Sequence, residues 1–154
     1  MKKLTLIMCA LLLAGIANAQ SDKEEVDLLQ SLFGMEKKAM VSDFIKVDAA
    51  KQDAFWKLYD EYETARKDLG KRRIELLSQY AGNYKSMSNE TADSWMKDVM
   101  NLSKSTDKLI VTYVNKIKKV TDPVTALKFY HFENYILATI RSSILSEIPF
   151  VKAK

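Results

Sequence analysis

The sequence is poor in the residues that interrupt or cross-link a chain. Of its 154 residues, one is cysteine, four are glycine and two are proline. A lone cysteine, Cys9, excludes an internal disulfide and a multi-thiolate metal site. His131 is the only histidine, so one chain lacks the ligand set of a zinc or nickel centre. No glycine-rich loop is present to cradle a phosphate. Period-two alternation of β-branched residues is almost missing. Apolar residues instead recur at three and four, the helical period, and this predicts an all-α fold. With so few breakers the helices are expected to be long.

What the chain does have begins with "MKKLTLIMCALLLAGIANAQ". Lys2 and Lys3 form a positive n-region, Leu4 to Ile16 an apolar run, and Ala17-Asn18-Ala19 a small-residue cleavage site. This predicts a secretory signal peptide over 1–19 and a single α-helical domain over 20–154. The apolar run is shorter than the roughly 20 residues that span a bilayer, and no later run is long enough either. Cys9 would leave with the leader. Removing Lys2 and Lys3 leaves 22 of the 24 Lys and Arg against 20 Asp and Glu. A nearly neutral exported chain lacks the basic face that nucleic acid requires.

Four helices are expected. The first runs from about Lys23 to Lys46, capped by Ser21 or Asp22 and broken or kinked at Gly34. Val26, Leu29, Leu32 and Phe33, then Met40, Val41, Phe44 and Ile45, form its apolar side. The second runs from about Ala49 to Tyr84, with Asp48 as N-cap. Phe55, Tyr59, Tyr62, Arg66, Leu69, Arg73, Leu76 and Tyr80 alternate steps of four and three along it, a heptad seam. The third runs from Asn89 to Val120 behind Ser88, with Ala92, Trp95, Val99, Leu102, Thr106, Leu109, Tyr113, Lys116 or Ile117, and Val120 on its seam. The short Lys85–Met87 connection makes it antiparallel to the second. The fourth opens on Asp122 and Pro123, a strong start signal, and ends before Pro149. Leu127, Phe129, Phe132, Ile136, Ile140, Ile144 and Ile148 make its stripe. The result is an elongated antiparallel helical hairpin or bundle, its second and third helices longest, with a tail that packs back.

The seam carries charges as well as rings. Arg66 and Arg73 occupy seam positions, and Glu133 lies between Phe129, Phe132 and Ile136. Buried charges need partners, so Arg73 and Glu133 are expected to form a structural ion pair that fixes register. The alternative is that the arginines reach water along their stems. Burial explains Phe55, Tyr59 and Tyr62. Trp56 and Tyr84 lie off the centre of the heptad seam; with Trp95 and Tyr130 they are the candidate contacts with a partner, and for Trp56 and Tyr130 core and contact readings stand level. Met96 and Met100 are read as core packing rather than a copper site. Ser142, Ser143 and Ser146 lack a base, and the acidic pairs Glu24–Glu25 and Asp60–Glu61 lie on solvated faces. No catalytic, cofactor-binding or metal residues are assigned.

"FWKLYDEY", "RRIELLSQYAGNY", "FYHFENYI" and "EIPFV", in that order, resemble a family of small exported α-helical bacterial proteins related to the Spy/CpxP-like periplasmic proteins. That group includes an ATP-independent chaperone and envelope-stress or metal-sensing regulators. Arg73, Phe129, Glu133 and Asn134 fall on recurrent positions of the family. The helix starts "VDAAK" and "MSNET" stand where the Spy/CpxP-like group carries LTxxQ. The "ANAQ" context is similar to that of exported proteins of the Bacteroidetes. The resemblance implies the periplasm of a Gram-negative bacterium and a non-enzymatic, chaperone-like protein whose partners are unfolded clients. A second implied role is an envelope-stress regulator acting on a membrane-bound sensor. A homodimer is a further partner expectation.

Overall fold

The computed structural model describes residues 22–149, with side chains from Phe33 onward. The leader and the tail beyond Pro149 lie outside the described residues, as do the side chains of Val26, Leu29 and Leu32. The described chain is helical, without strands: α1 (Asp22–Phe44), a 3-10 turn (Ala49–Lys51), α2 (Gln52–Asn83), α3 (Asn89–Val120) and α4 (Pro123–Glu147). Helices α2 and α3, each of 32 residues, are the longest and pack most extensively. Each is about 48 Å long at 1.5 Å per residue. Helix α4 packs along α3, and α1 lies more lightly across α2 and α4.

Two helix starts follow their caps. Ser88 Oγ accepts from Thr91 N at 3.2 Å. Asp122 Oδ1 accepts from Thr125 N at 2.8 Å and Asp122 Oδ2 from Thr125 Oγ1 at 2.8 Å, with Pro123 in the first turn. These bonds satisfy amides that the first helical turn leaves without intrahelical partners. Lys118 and Lys119 in the last turn of α3 complement its dipole.

Two expectations fail locally. Asp48 makes no side-chain cap. Its carbonyl accepts from Lys51 N at 2.8 Å, so a 3-10 turn precedes α2 and the first α-helical residue is Gln52. Nor does Gly34 break α1, which runs through it without a positive φ. A single helical glycine costs only about 1 kcal/mol against alanine. Here Phe33, Lys37, Val41 and Ile45, all buried, hold the face on which α1 is seated.

The main core collects Phe55, Tyr59 and Tyr62 from α2, Ile110, Tyr113 and Ile117 from α3, and Phe129, Phe132 and Ile136 from α4, closed by Val41 and Ile45. Tyr62 meets Phe129 edge-on at 5.2 Å and Tyr113 at 5.4 Å. Such ring pairs contribute about 0.5–1.5 kcal/mol beyond area burial. On α3 the seam passes through Ile110 and Ile117, leaving Lys116 and Val120 exposed. On α4, Leu127 turns out to be 51% exposed. It lies two residues from the fully buried Phe129, about 200° around the helix, so both cannot face the core. Phe44 is likewise exposed, although its ring reaches Phe132 at 5.9 Å. The distal end is thinner: Leu76 and Tyr80 are buried, and Tyr80 Oη donates to Pro149 O at 2.6 Å, tying the end of α4 down.

Candidate functional site

The most unusual side chain is one the sequence reading passed over. Lys37 is 0% exposed. Its ammonium donates to Glu63 Oε1 at 2.7 Å and to Glu133 Oε2 at 2.7 Å, so a residue of α1 clasps α2 and α4 together. Tyr62 Oη also donates to Glu133 Oε2, at 2.6 Å. Arg66 Nε reaches both oxygens of Glu63, at 3.1 and 3.0 Å, and its guanidinium lies 5.1 Å from the Phe33 ring centre. Lys37 and Arg66 balance Glu63 and Glu133, so the cluster carries no net charge. Its ammonium also lies 5.1 Å from the Tyr62 ring centre, which adds a cation–π contact in a desolvated setting.

The local field sets the protonation states. Burial alone would raise the Glu63 carboxyl, but Lys37 and then Arg66 outweigh it and hold it below its ordinary value. Burial first, then Glu63 and Glu133, push the Tyr59 phenol far up; burial and then Glu133 do the same to Tyr62. Both phenols therefore stay protonated, and Tyr62 donates its hydrogen bond to Glu133. Among the described residues three buried side-chain polar atoms remain without a hydrogen-bond partner: Tyr59 Oη, Arg66 Nη2 and Glu133 Oε1.

This cluster forms one end of a cavity of about 140 Å³ between α2, α3 and α4. Beyond Arg66 and Glu133 the walls turn apolar, through Leu69, Ile74, Leu77, Ile136, Ile140 and Ile144. Arg73 also lines it. The expected Arg73–Glu133 pair does not form. Lys37 and Tyr62 occupy the carboxylate instead, whereas Arg73 sits beside Arg141 and Asp107. Burial first, and then Arg141, lower the Arg73 pKa, with Asp107 acting in the opposite direction. Arg141 itself bonds Ser103 Oγ at 2.9 Å and lies 3.7 Å from Asp107. Among the described residues Arg73 makes no salt bridge.

The structure separates the four candidate contact rings. Trp56 is half-buried, edge-on to Phe55 at 5.1 Å and Tyr59 at 5.5 Å, with Lys38 over its face. Tyr84 and Trp95 meet at the far end, both on Tyr80: Tyr84 stacks at 6.3 Å and Trp95 lies at 4.9 Å. Trp95 Nε1 also donates to Leu76 O at 2.8 Å. Tyr130, on α4, is exposed and its ring neighbour is His131. The 28 positions between Trp56 and Tyr84 correspond to about 42 Å of helix, so these rings form no single surface. Met96 and Met100, read as core, are both exposed on α3. They precede the point where α3 enters the main core, and only Leu102 begins its buried run. Among the described residues no group of three or more His, Cys, Asp or Glu is placed to hold a metal ion. No described helix is long and apolar enough to cross a membrane.

Lys37 had a legible signal. It stands in the every-fourth series Phe33, Lys37, Val41, Ile45, between apolar residues that are all buried. A lysine in that register faces the core and must find carboxylates there. No protein-family model, curated protein or solved structure matches the chain.

Proposed function

We propose that this is a non-enzymatic, exported helical binding protein that holds partly unfolded polypeptides against the outer face of α4. The observation that carries the reading is the distribution of apolar residues on that helix. Its inner face fills the core, yet its outer face carries Val124 at 61% exposure, Leu127 at 51% and Leu145 at 68%. Leu127 and Leu145 are five turns apart on one line, about 27 Å, with Ala138 between them and His131 and Asn134 beside it. Of the 25 residues of α4, only Lys128, Glu133, Arg141 and Glu147 are charged, and Glu133 is buried. Exposed apolar side chains on the outer side of a helix whose inner side is covered offer another chain places to dock. The resemblance to the Spy/CpxP-like group, with its exported ATP-independent chaperone, supports the same reading.

Light scattering of an unfolding client enzyme tests it. The purified protein at stoichiometric level should suppress aggregation. Leu127→Lys with Leu145→Lys should abolish most of the suppression while leaving the thermal midpoint within a few degrees, because neither side chain contributes to the core. Suppression undiminished in the double variant, or none in the wild type, would remove the proposal. Capture of one membrane sensor without any suppression would favour the regulatory role.

A further inference from the structure

The two ends of the cavity differ in charge. At the Glu133 end the two acids are matched by Lys37 and Arg66. At the other, Arg73 lines the wall with no salt bridge among the described residues, while Arg141, outside the lining, pairs with Asp107, which is more than half exposed. With Arg141 matched by Asp107, the half-buried Arg73 leaves a local charge of +1. An unmatched charge in a partly desolvated site is costly, and a monoanion on Arg73 would relieve that cost. Apolar walls adjoin this unbalanced end: Ile74, Leu77, Ile140 and Ile144. The cavity, at about 140 Å³, is close to the ~150 Å³ apolar space that admits benzene. Its enclosed part therefore takes roughly six carbons, and it is partly open, so a longer chain can emerge. Arg73 lies seven residues beyond Arg66, about 10 Å of helix rise, so an anion there stays clear of the buried acids.

We propose that the cavity binds a medium-chain carboxylic acid in its ionised form: Arg73 takes the carboxylate, and the alkyl chain lies among Ile74, Leu77, Ile140 and Ile144. Guanidinium forks match a carboxylate with two parallel hydrogen bonds. A single negative charge equals the local excess, whereas a phosphate monoester dianion exceeds it. This site is separate from the outer face of α4, and the two readings stand or fall independently.

Isothermal titration of the purified full chain with octanoate, 1-octanol and acetate tests the assignment. Octanoate should bind saturably at one per chain. Octanol, with the same chain and no charge, should bind about tenfold or more weakly, and acetate should not saturate. Arg73→Met should weaken octanoate about tenfold while leaving octanol unchanged. Arg73→Lys, which keeps the charge without the fork, should fall between and serves if the Met variant does not fold. Ile140→Trp should fill the cavity and abolish both ligands, with circular dichroism confirming the fold. Equal affinity for octanoate and octanol, several octanoates per chain, binding unchanged in Ile140→Trp, or no binding at all would each overturn the proposal.

Discussion

Arg66 and Arg73 occupy the same seam of α2, one heptad apart, and meet opposite circumstances. Arg66 closes onto Glu63, which Lys37 also holds, and the charges there cancel. Arg73 finds another arginine. Seam position brings a charged side chain inward, but what it means there is decided by the neighbouring helices. At Arg66, α1 supplies a lysine and α4 a glutamate. At Arg73, α4 supplies Arg141. One cluster therefore locks helices together and the other leaves a site short of an anion.

The comparison breaks most sharply at Lys37. Replacing it with alanine leaves the buried Glu133 without a cation and Glu63 with Arg66 alone, and loss of one partner from a buried charge network costs about 3–5 kcal/mol. Urea denaturation of Lys37→Ala should show a loss of that size. Lys37→Met combined with Glu133→Gln should recover much of it, because Glu63 keeps Arg66 and no unpaired charge then remains.

The next effect separates the two arginines directly. Arg66→Met removes charge-assisted bonds to Glu63 and should cost about 1.5–3 kcal/mol. Arg73→Met removes a like-charge neighbour of Arg141 and should change stability by less than about 0.5 kcal/mol, in either direction. Chemical denaturation of the two variants side by side checks this; equal losses would erase the distinction between the clusters.

Acid should reveal the smallest difference. Glu63 has its folded pKa below the ordinary 4.5. Its contribution is thus fully present above about pH 4.5 and is lost as pH falls through the folded value, because the unfolded chain takes up the proton first. The midpoint in urea should fall below pH 4.5 in the wild type and fall less steeply in Glu63→Gln. The same slope in both would place the acid sensitivity elsewhere.

These clusters also mark how far the sequence could be read. Helices α3 and α4 were legible nearly to the residue, because Ser88 and the Asp122–Pro123 pair act through local bonds that sequence alone specifies. The α2 seam was legible because period is local too. Asp48 misled: a capping residue type is not a cap until its side chain reaches an amide, and here the backbone turned 3-10 first. Gly34 misled because tertiary seating of Phe33 and Lys37 outweighs a cost of about 1 kcal/mol. Glu133 was correctly read as buried and in need of a cation, yet the cation was misassigned. Nothing within one helix says that α1 crosses α2 near Glu63 rather than near Arg73. That crossing belongs to three helices at once, and Lys37, 96 residues from Glu133, supplies it.

The placing of the two tryptophans has a practical consequence. Trp56 packs into the aromatic core, while the indole of Trp95 is bonded to Leu76 O, 20 residues and about 30 Å further along α2. Each indole thus senses one end of the hairpin. Emission from single-tryptophan variants, Trp56→Phe or Trp95→Phe, would time the loosening of each end separately and show whether the bundle melts as one body or frays from its tip.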